Sequence, residues 1–335
     1  MTRNGHPSGT GAVDLDLGLV RSFLVTAELL HFGGAADQLR VTQQALSKRI
    51  RRLEDLLRVP LFVRDTRHVR LTAAGHQFLP YAKELVSTAD SAVRALCETT
   101  TRLRVDVLDD RLASLRLVQR ALAERPELRA EISMRRSLLA ALSAMERGEI
   151  DVALGRIHDL GRSLPAQISH TLVRLEPIRV LVGDDHPLAG ATALRPMDLA
   201  RAGLWSPNRG SAEEWDTFLI RFASDFNLSL DFEEGAATLG GLASRIRDER
   251  HRVMLTGADM PLPDDTGLRT IPLVEPEPVY PWSLIWHRNT RRLTEGFVDA
   301  AIVAGNVPRR AGGAPAPDLA GQWLPAPDRM ALTGH

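Results

Sequence analysis

Residues 42–53 carry the pattern that most constrains how this chain can fold. Apolar side chains recur there at helical spacing and predict a helix with one buried face. The predicted buried positions are Ala45, Leu46, Ile50 and Leu53. Thr42 stands at the start and is a good N-cap, because its hydroxyl oxygen can accept from amides of the first turn. A shorter helix precedes it, with a small apolar face at Ala35, Ala36 and Leu39. Two short helices joined by a tight turn are therefore predicted.

The outward face of the second helix is polar and basic. Its side chains are those of Thr42, Gln43, Gln44, Ser47, Lys48, Arg49, Arg51 and Arg52. Amides at a helix start can read adenine edges in the major groove of DNA, and cations further along can meet phosphates. The pattern predicts a helix-turn-helix whose second helix contacts double-stranded DNA.

Residues 61–71 predict a β-hairpin, or wing, behind this helix. Pro60 marks the end of the preceding helix, and the residues after it alternate between apolar and polar. Arg64 and Arg67 could contact phosphate or the adjacent minor groove. The alternative is a solvated basic hairpin with no DNA contact.

Residues 77–99 predict a long linker helix. Apolar or small residues recur at alternating intervals of four and three, which is a heptad pattern. The positions are Phe78, Ala82, Leu85, Ala89, Ala92 and Leu96. The pattern favours a dimerisation seam. The alternative is an amphipathic helix that packs on its own domain.

Together, these motifs resemble the LysR-type transcriptional regulators. The resemblance is dense over residues 15–99 and includes Ala35-Ala36, Leu53-Glu54, Leu61-Phe62-x-Arg64 and Leu71-Thr72-x-x-Gly75. Two positions depart from the family pattern. Arg58 stands where a glycine usually ends the helix, and Gly33-Gly34 replaces a serine-containing pair. The resemblance implies a DNA-binding homodimer or homotetramer that responds to a small-molecule effector. Its partners could include RNA polymerase.

The rest of the chain predicts an α/β domain. Strands at 103–107, 131–134 and 150–154 alternate with helices, which indicates a parallel sheet. The fold class expected is an N-terminal all-α winged helix-turn-helix with a long linker helix, then a two-lobed α/β effector domain similar to periplasmic binding proteins. The expected ranges are a disordered N-terminus (1–14), the winged domain (15–76), the linker (77–99), the effector domain (100–304) and a disordered tail (305–335). Lobe I would comprise 102–175 and 276–304, and lobe II 176–275.

The effector is expected in the cleft between the lobes, since ligands of open α/β domains bind at strand ends and helix N-termini. The candidate residues are Asp109, Arg135, Ser137, Arg156, Ser206, Asn208, Arg209 and Thr256. Ser137 could cap a helix and present amides to an anion, and arginines suit carboxylate or phosphate. A plain N-cap and solvated arginines are the alternatives.

Charge and cysteine content bear on the class of protein. The formal net charge is zero, but residues 15–76 carry +4 and the remainder −4, which fits DNA binding by one end. Cys97 is the sole cysteine, so an intrachain disulfide is excluded and a reducing compartment is indicated. Residues 1–13 lack the apolar core of a signal peptide, and the expected location is the cytoplasm. No catalytic constellation, metal site or cofactor motif is evident, so an enzyme is not expected.

Two alternatives to a ligand-responsive regulator remain. One is a constitutive DNA-binding repressor whose C-terminal lobes only oligomerise, which a cleft filled by Trp205, Arg135 or Arg209 would favour. The other is a solute-binding or transport protein with a two-lobed fold. The helix-turn-helix argues against the second.

Overall fold

The structure is a computed structural model and describes residues 14–64, 69–97, 102–206, 212–233, 239–262, 266–288, 291–310 and 312–333. The chain divides into two compact units, residues 1–97 and 98–335. The predicted disordered N-terminus lies outside the described residues except for Asp14.

The first unit is helical, with one small hairpin. Its elements are α1 (Leu17–Leu29), α2 (Phe32–Gln38), α3 (Gln43–Leu57), β1 (Phe62–Arg64), β2 (Val69–Leu71) and α4 (Ala73–Cys97). β1 and β2 pair antiparallel, with Phe62 opposite Leu71. These elements form the predicted winged helix-turn-helix and linker helix.

The two departures from the family pattern have local explanations. Arg58 itself takes the left-handed conformation at the end of α3, with φ 57°. His31 caps α2, and its Nδ1 accepts from the amide of Gly34 at 2.9 Å. A Cβ at Gly33 would lie 3.0 Å from the His31 ring, so glycine leaves room for this cap.

The residues behind α3 hold the hairpin on the helices. The Glu54 carboxylate accepts from the amides of Leu61 and Phe62, at 2.8 and 3.1 Å. The Thr72 hydroxyl donates to the carbonyl of Pro60 and accepts from the amide of Gly75. A Cβ at Gly75 would lie 2.2 Å from the carbonyl oxygen of Leu61, so only glycine fits there.

One part of the predicted linker seam packs inside the first unit. Ala82 is fully buried, and the ring of Phe78 lies 5.2 Å from that of Phe23 on α1. For these two positions the alternative, packing on the chain's own domain, is the correct one. Leu85 is 40% exposed and Ala92 is exposed, whereas Ala89 is half-buried. The Leu96 side chain lies outside the described part of the chain.

The second unit is a two-lobed α/β structure. Its elements are β3 (Arg102–Val107), α5 (Ala113–Ala123), β4 (Arg129–Met134), α6 (Leu138–Glu146), β5 (Val152–Gly155), β6 (Ile168–Gly183), a 3₁₀ helix (Pro196–Arg201), β7 (Leu204–Ser206), α7 (Glu213–Asp225), β8 (Leu230–Phe232), α8 (Leu239–Asp248), β9 (Met254–Gly257), β10 (Leu268–Pro272), β11 (Glu277–His287), α9 (Arg291–Gly305), β12 (Gln322–Trp323) and α10 (Ala326–Thr333). The main sheet has the order β10-β6-β11-β5-β3-β4, with β9 also paired to β6 and β12 to β11.

Two long strands connect the lobes. β6 pairs with β11 over 168–177 and with β9 and β10 over 178–183. The apolar runs 178–182 and 283–286 alone would indicate two short strands, and both strands extend well beyond these runs. Pro177 lies within β6, and Pro278 and Pro281 within β11. Prolines weaken a strand prediction because they cannot donate to the ladder.

The end of the chain is folded, and the prediction of a disordered tail over 305–335 is wrong for its described part. β12 pairs parallel with β11, and α10 follows. Trp323 is buried among Phe218, Phe222 and Phe226, with ring centroids 5.1–5.7 Å away. A few aromatic and charged anchors therefore order a segment that is rich in Gly, Pro and Ala.

Candidate nucleic-acid interface and effector cavity

The exposed face of α3 is the first candidate site. Leu46, Ile50 and Leu53 are fully buried, which fixes how the helix is rotated. The predicted contact residues then lie outward: Thr42, Gln43, Gln44, Lys48, Arg49, Arg51 and Arg52 are exposed, and Ser47 is half-buried. The Thr42 hydroxyl oxygen accepts from the amide of Ala45 at 3.1 Å and so serves as the predicted N-cap.

Helical spacing arranges these side chains in two rows. Residues four apart lie on one face of a helix. One row is Gln43, Ser47 and Arg51, and the other is Gln44, Lys48 and Arg52. Each row runs from an amide at the start of the helix to an arginine two turns on. Groups able to read base edges thus come first, and phosphate-binding cations follow.

The wing is described in part. Arg70 is exposed on β2, next to Val63 across the hairpin. The Arg64 side chain and the whole of Arg67 lie outside the described residues. Their predicted DNA contacts remain predictions.

A cavity of about 400 Å³ in the second unit is the second candidate site. Three of the candidate effector contacts, Asp109, Ser206 and Thr256, line it. Arg111, Arg136 and Glu176 add charged groups. Trp205, Trp215, Tyr280 and Trp282 supply aromatic walls. Asn208 and Arg209 lie outside the described residues.

Asp109 and Arg111 pair with each other at the cavity wall. The guanidinium donates to both carboxylate oxygens at 2.8 Å. Burial opposes ionisation of Asp109, but the bonds from Arg111 outweigh it and lower its pKa to about 2. The pair therefore stays ionic at neutral pH.

Arg135 and Arg156 do not line the cavity, contrary to prediction. Arg135 donates to the buried Asp106 carboxylate at 2.5 Å, since Asp106 on β3 lies beside the end of β4. Arg156 is fully buried and donates to Asp328 at 2.6 Å and to Asp159 at 3.0 Å. Burial opposes its charge, but Asp328 outweighs burial, and the pKa of Arg156 is raised.

Ser137 caps α6 but is not among the residues that line the cavity. Its hydroxyl oxygen lies 3.5 Å from the amide of Ala140. The amide of Leu138, the first residue of α6, donates to the Glu214 carboxylate on α7 at 3.1 Å. Burial raises the pKa of Glu214, whose Oε2 has no hydrogen-bond partner among the described residues. A carboxylate of the chain itself thus occupies the helix end that was expected to receive an anionic effector.

Sequence reasoning missed Glu176 and the aromatic residues of β11. Glu176 is 3% exposed, and its carboxylate accepts from Trp282 Nε1 at 2.7 Å and from the amide of Asp259 at 2.9 Å. Burial raises the pKa of Glu176 against these two bonds. One signal was available, because a lone acid stands between apolar residues in the run from Leu172 to Ile178. Charged residues are seldom buried, and those that are buried cluster at functional sites.

Trp205 lines the cavity and does not fill it. The Arg245 guanidinium lies 5.3 Å from the centre of its ring. Within the described residues, no group of three or more His, Cys, Asp and Glu side chains could hold a metal ion. No helix there is long and apolar enough to cross a membrane.

Family models match a part of each of the two units. Residues 17–76 match the family described as bacterial regulatory helix-turn-helix protein, lysR family, and residues 98–244 match the LysR substrate binding domain. Together these matches span more than half of the chain. The fold and sites define a helix-turn-helix protein with a substrate-binding domain. The chain belongs to the LysR family of transcriptional regulators.

Individual relatives support this assignment. The chain is 34% identical to the transcriptional regulator ShiR of Corynebacterium glutamicum over 56% of its own length and 65% of ShiR. It is 47% identical to the transcriptional regulator IlvR of Caulobacter vibrioides over 27% of its length and 29% of IlvR. The matches thus span less than two thirds of these relatives. Full-length OxyR of Pseudomonas aeruginosa shares the fold, with a TM-score of 0.61 and 19% identity over 86% of this chain and 95% of OxyR.

Proposed function

We propose that this chain is a transcriptional regulator that binds a pseudo-palindromic DNA site as a dimer or tetramer, with its activity modulated by a small effector. The observation that carries the proposal is the exposed face of α3, where two rows of amide, hydroxyl and cationic side chains stand on a buried apolar core. The lysR-type helix-turn-helix match over 17–76 supports it.

In this proposal α3 enters the major groove. Gln43, Gln44 and Ser47 read base edges near the start of the helix, and the later cations meet phosphates. Arg64 and Arg67 of the wing add contacts beside the groove. A dimer places two such helices on half-sites separated by whole turns of the duplex.

The linker helix α4 supplies the dimer contact. Its exposed stripe is Tyr81, Leu85, Thr88 and Ala92, spaced by four, three and four residues. This stripe is rotated from the predicted seam, since Phe78 and Ala82 pack on α1. A second copy of α4 would cover the stripe.

The cavity between the lobes is the proposed effector site. A ligand there would contact β6 and β11, the strands that both lobes share. It would shift the lobe arrangement by its differential affinity, with coupling to DNA binding of about 1–3 kcal/mol.

The constitutive repressor is the second candidate. It is favoured by the internal partners of Arg135, Arg156 and the α6 N-terminus. The open cavity, with Trp205 on its wall, favours the effector-responsive regulator. In either case the chain acts where DNA lies, which for a bacterial regulator is the cytoplasm, and RNA polymerase could be a further partner.

Selection of random duplexes on the purified full-length protein tests DNA binding. We expect enrichment of a two-fold related sequence and protection of both half-sites from nuclease. Enrichment of no sequence above background would overturn the proposal.

A further inference from the structure

The effector cavity has a continuous aromatic wall. The ring centroids of Trp215 and Tyr280 lie 5.4 Å apart, and those of Tyr280 and Trp282 lie 5.0 Å apart. Trp205 also lines the cavity. Aromatic faces carry negative potential and attract organic cations as well as apolar groups.

A carboxylate adjoins this wall. Trp282 Nε1 donates to Glu176 Oε2, and Glu176 lies directly opposite Tyr280 in the pairing of β6 with β11. Gly257 makes room for the carboxylate, because a Cβ there would lie 2.1 Å from Glu176 Oε1. Each carboxylate oxygen has two lone pairs and accepts one hydrogen bond from the described residues, so acceptor capacity remains.

The charged groups in and around the cavity are poorly placed to bind an anion. Glu214 already occupies the N-terminus of α6. Arg111 is paired with Asp109, and Arg156 with Asp328. Arg136 lines the cavity but is exposed, so water screens it, whereas Glu176 acts from a buried position of lower dielectric.

We propose that the cavity binds an organic cation, a protonated amine or guanidinium on an apolar body, with Glu176 as its counter-ion and Trp215, Tyr280 and Trp282 around it. This inference rests on the proposed function of the cavity as the effector site. It replaces the anionic effector that the sequence suggested. The volume of about 400 Å³ accommodates a ligand with a two-ring aromatic body.

Calorimetric titration of the full-length protein with three matched probes tests the inference. Tryptamine carries an ammonium group, tryptophol a neutral hydroxyl and indole-3-propionate a carboxylate on the same ring. We expect tryptamine to bind at least ~10-fold more tightly than tryptophol, and indole-3-propionate to bind most weakly. This ranking in the native protein needs no variant.

Glu176→Gln should abolish the preference for tryptamine over tryptophol. Glu131→Gln, an exposed carboxylate on β4 outside the cavity, is the matched control and should retain it. Equal or tighter binding of indole-3-propionate, no saturable binding of tryptamine at millimolar concentration, or an unchanged preference in a folded Glu176→Gln variant would overturn the inference.

Titration of a selected duplex in parallel separates the two proposals. If the protein binds DNA specifically but does not prefer tryptamine, only the inference about the ligand fails. If it prefers tryptamine but shows no sequence-specific DNA binding, the ligand site stands and the proposed function fails.

Discussion

At the scale of single residues, Gln43 and Arg51 lie on one row of α3 but face different chemistry. Gln43 is in the first turn, where an amide reaches base edges, and Arg51 is two turns later, where a cation reaches phosphate. Gln43 should therefore control which DNA sequence is preferred, and Arg51 should control the affinity for any sequence.

Gln43→Ala and Ser47→Ala should relax sequence preference, at a cost of ~1–3 kcal/mol on the preferred site. Arg51→Ala should weaken binding to preferred and random duplexes alike. It should also reduce the salt dependence of the affinity, because it removes a phosphate contact. Anisotropy titrations on both duplexes at several salt concentrations measure this. An equal loss of preference between the two duplexes in all three variants would contradict this assignment of roles.

Arg156 and Asp328 form a buried ion pair that joins β5 to the C-terminal segment. Asp328→Asn leaves the guanidinium without its nearest charge, and loss of one partner of a buried pair costs ~3–5 kcal/mol. Urea unfolding should show this loss, and Asp299→Asn, at an exposed position on α9, should show almost none. Equal stability of the two variants would mean that the C-terminal segment does not stabilise the second unit.

Glu214 predicts a dependence of stability on pH. Its folded pKa is raised by burial, so the folded state binds the proton more tightly than the unfolded chain does. The contribution of Glu214 to stability therefore increases as pH falls through its folded pKa toward the ordinary value of 4.5, by up to ~1.4 kcal/mol per pH unit. Glu214→Gln keeps an acceptor for Leu138 and lacks this gain.

The free energy of unfolding of Glu214→Gln should therefore exceed the native value most at a pH above the folded pKa of Glu214. The difference should move in favour of the native protein as pH falls toward 4.5. Urea unfolding at several pH values measures it. A difference that does not change with pH would show that the carboxylate keeps its ordinary pKa.

At the scale of elements, we propose separate roles for two faces of α4. Phe78 and Ala82 pack on α1, whereas Leu85 lies on the exposed stripe. Leu85→Asp should dissociate the dimer while the first unit stays folded, since the charge is then exposed in the monomer. Ala82→Asp should unfold the first unit, because its charge is buried without a partner.

Sedimentation gives the mass of the Leu85→Asp variant, and circular dichroism gives its helix content. His76→Asp is the matched control, as it places the same charge on an exposed position of α4 away from the stripe. A Leu85→Asp variant that sediments as the native protein does would place the dimer contact elsewhere.

Local patterns of α3, the hairpin and most helices of the second unit could be read from the sequence, since each depends on residues close together in the chain. The rotation of α4 could not, because a heptad pattern does not show whether α1 or a second copy covers each position. The folded C-terminal segment was missed for the same reason. Its order depends on Trp323 and Asp328 meeting distant residues on α7 and after β5.

The cavity shows the same limit. Asp109, Ser206 and Thr256 were found because they lie at or just after the ends of strands, and strand ends define such sites. The use of Arg135 and Arg156 inside the fold depends on which carboxylates come near them, and spacing in the sequence does not reveal that. Glu176 lies within β6, where a rule based on strand ends does not look.

At the scale of the whole molecule, the proposed regulator reads two half-sites with paired α3 helices and responds to a ligand held between two lobes. Duplexes with altered spacing test the paired reading most directly. Insertion of about half a helical turn, ~5 base pairs, between the half-sites turns them to opposite faces of DNA, and a full turn returns them to one face.

Affinity of the full-length protein for the selected duplex and the two spacing variants is the decisive measurement. We expect the half-turn insertion to reduce affinity to near that of random DNA and the full-turn insertion to restore a part of it. Equal affinity for all three duplexes would contradict paired reading, because each α3 helix would then read its half-site alone.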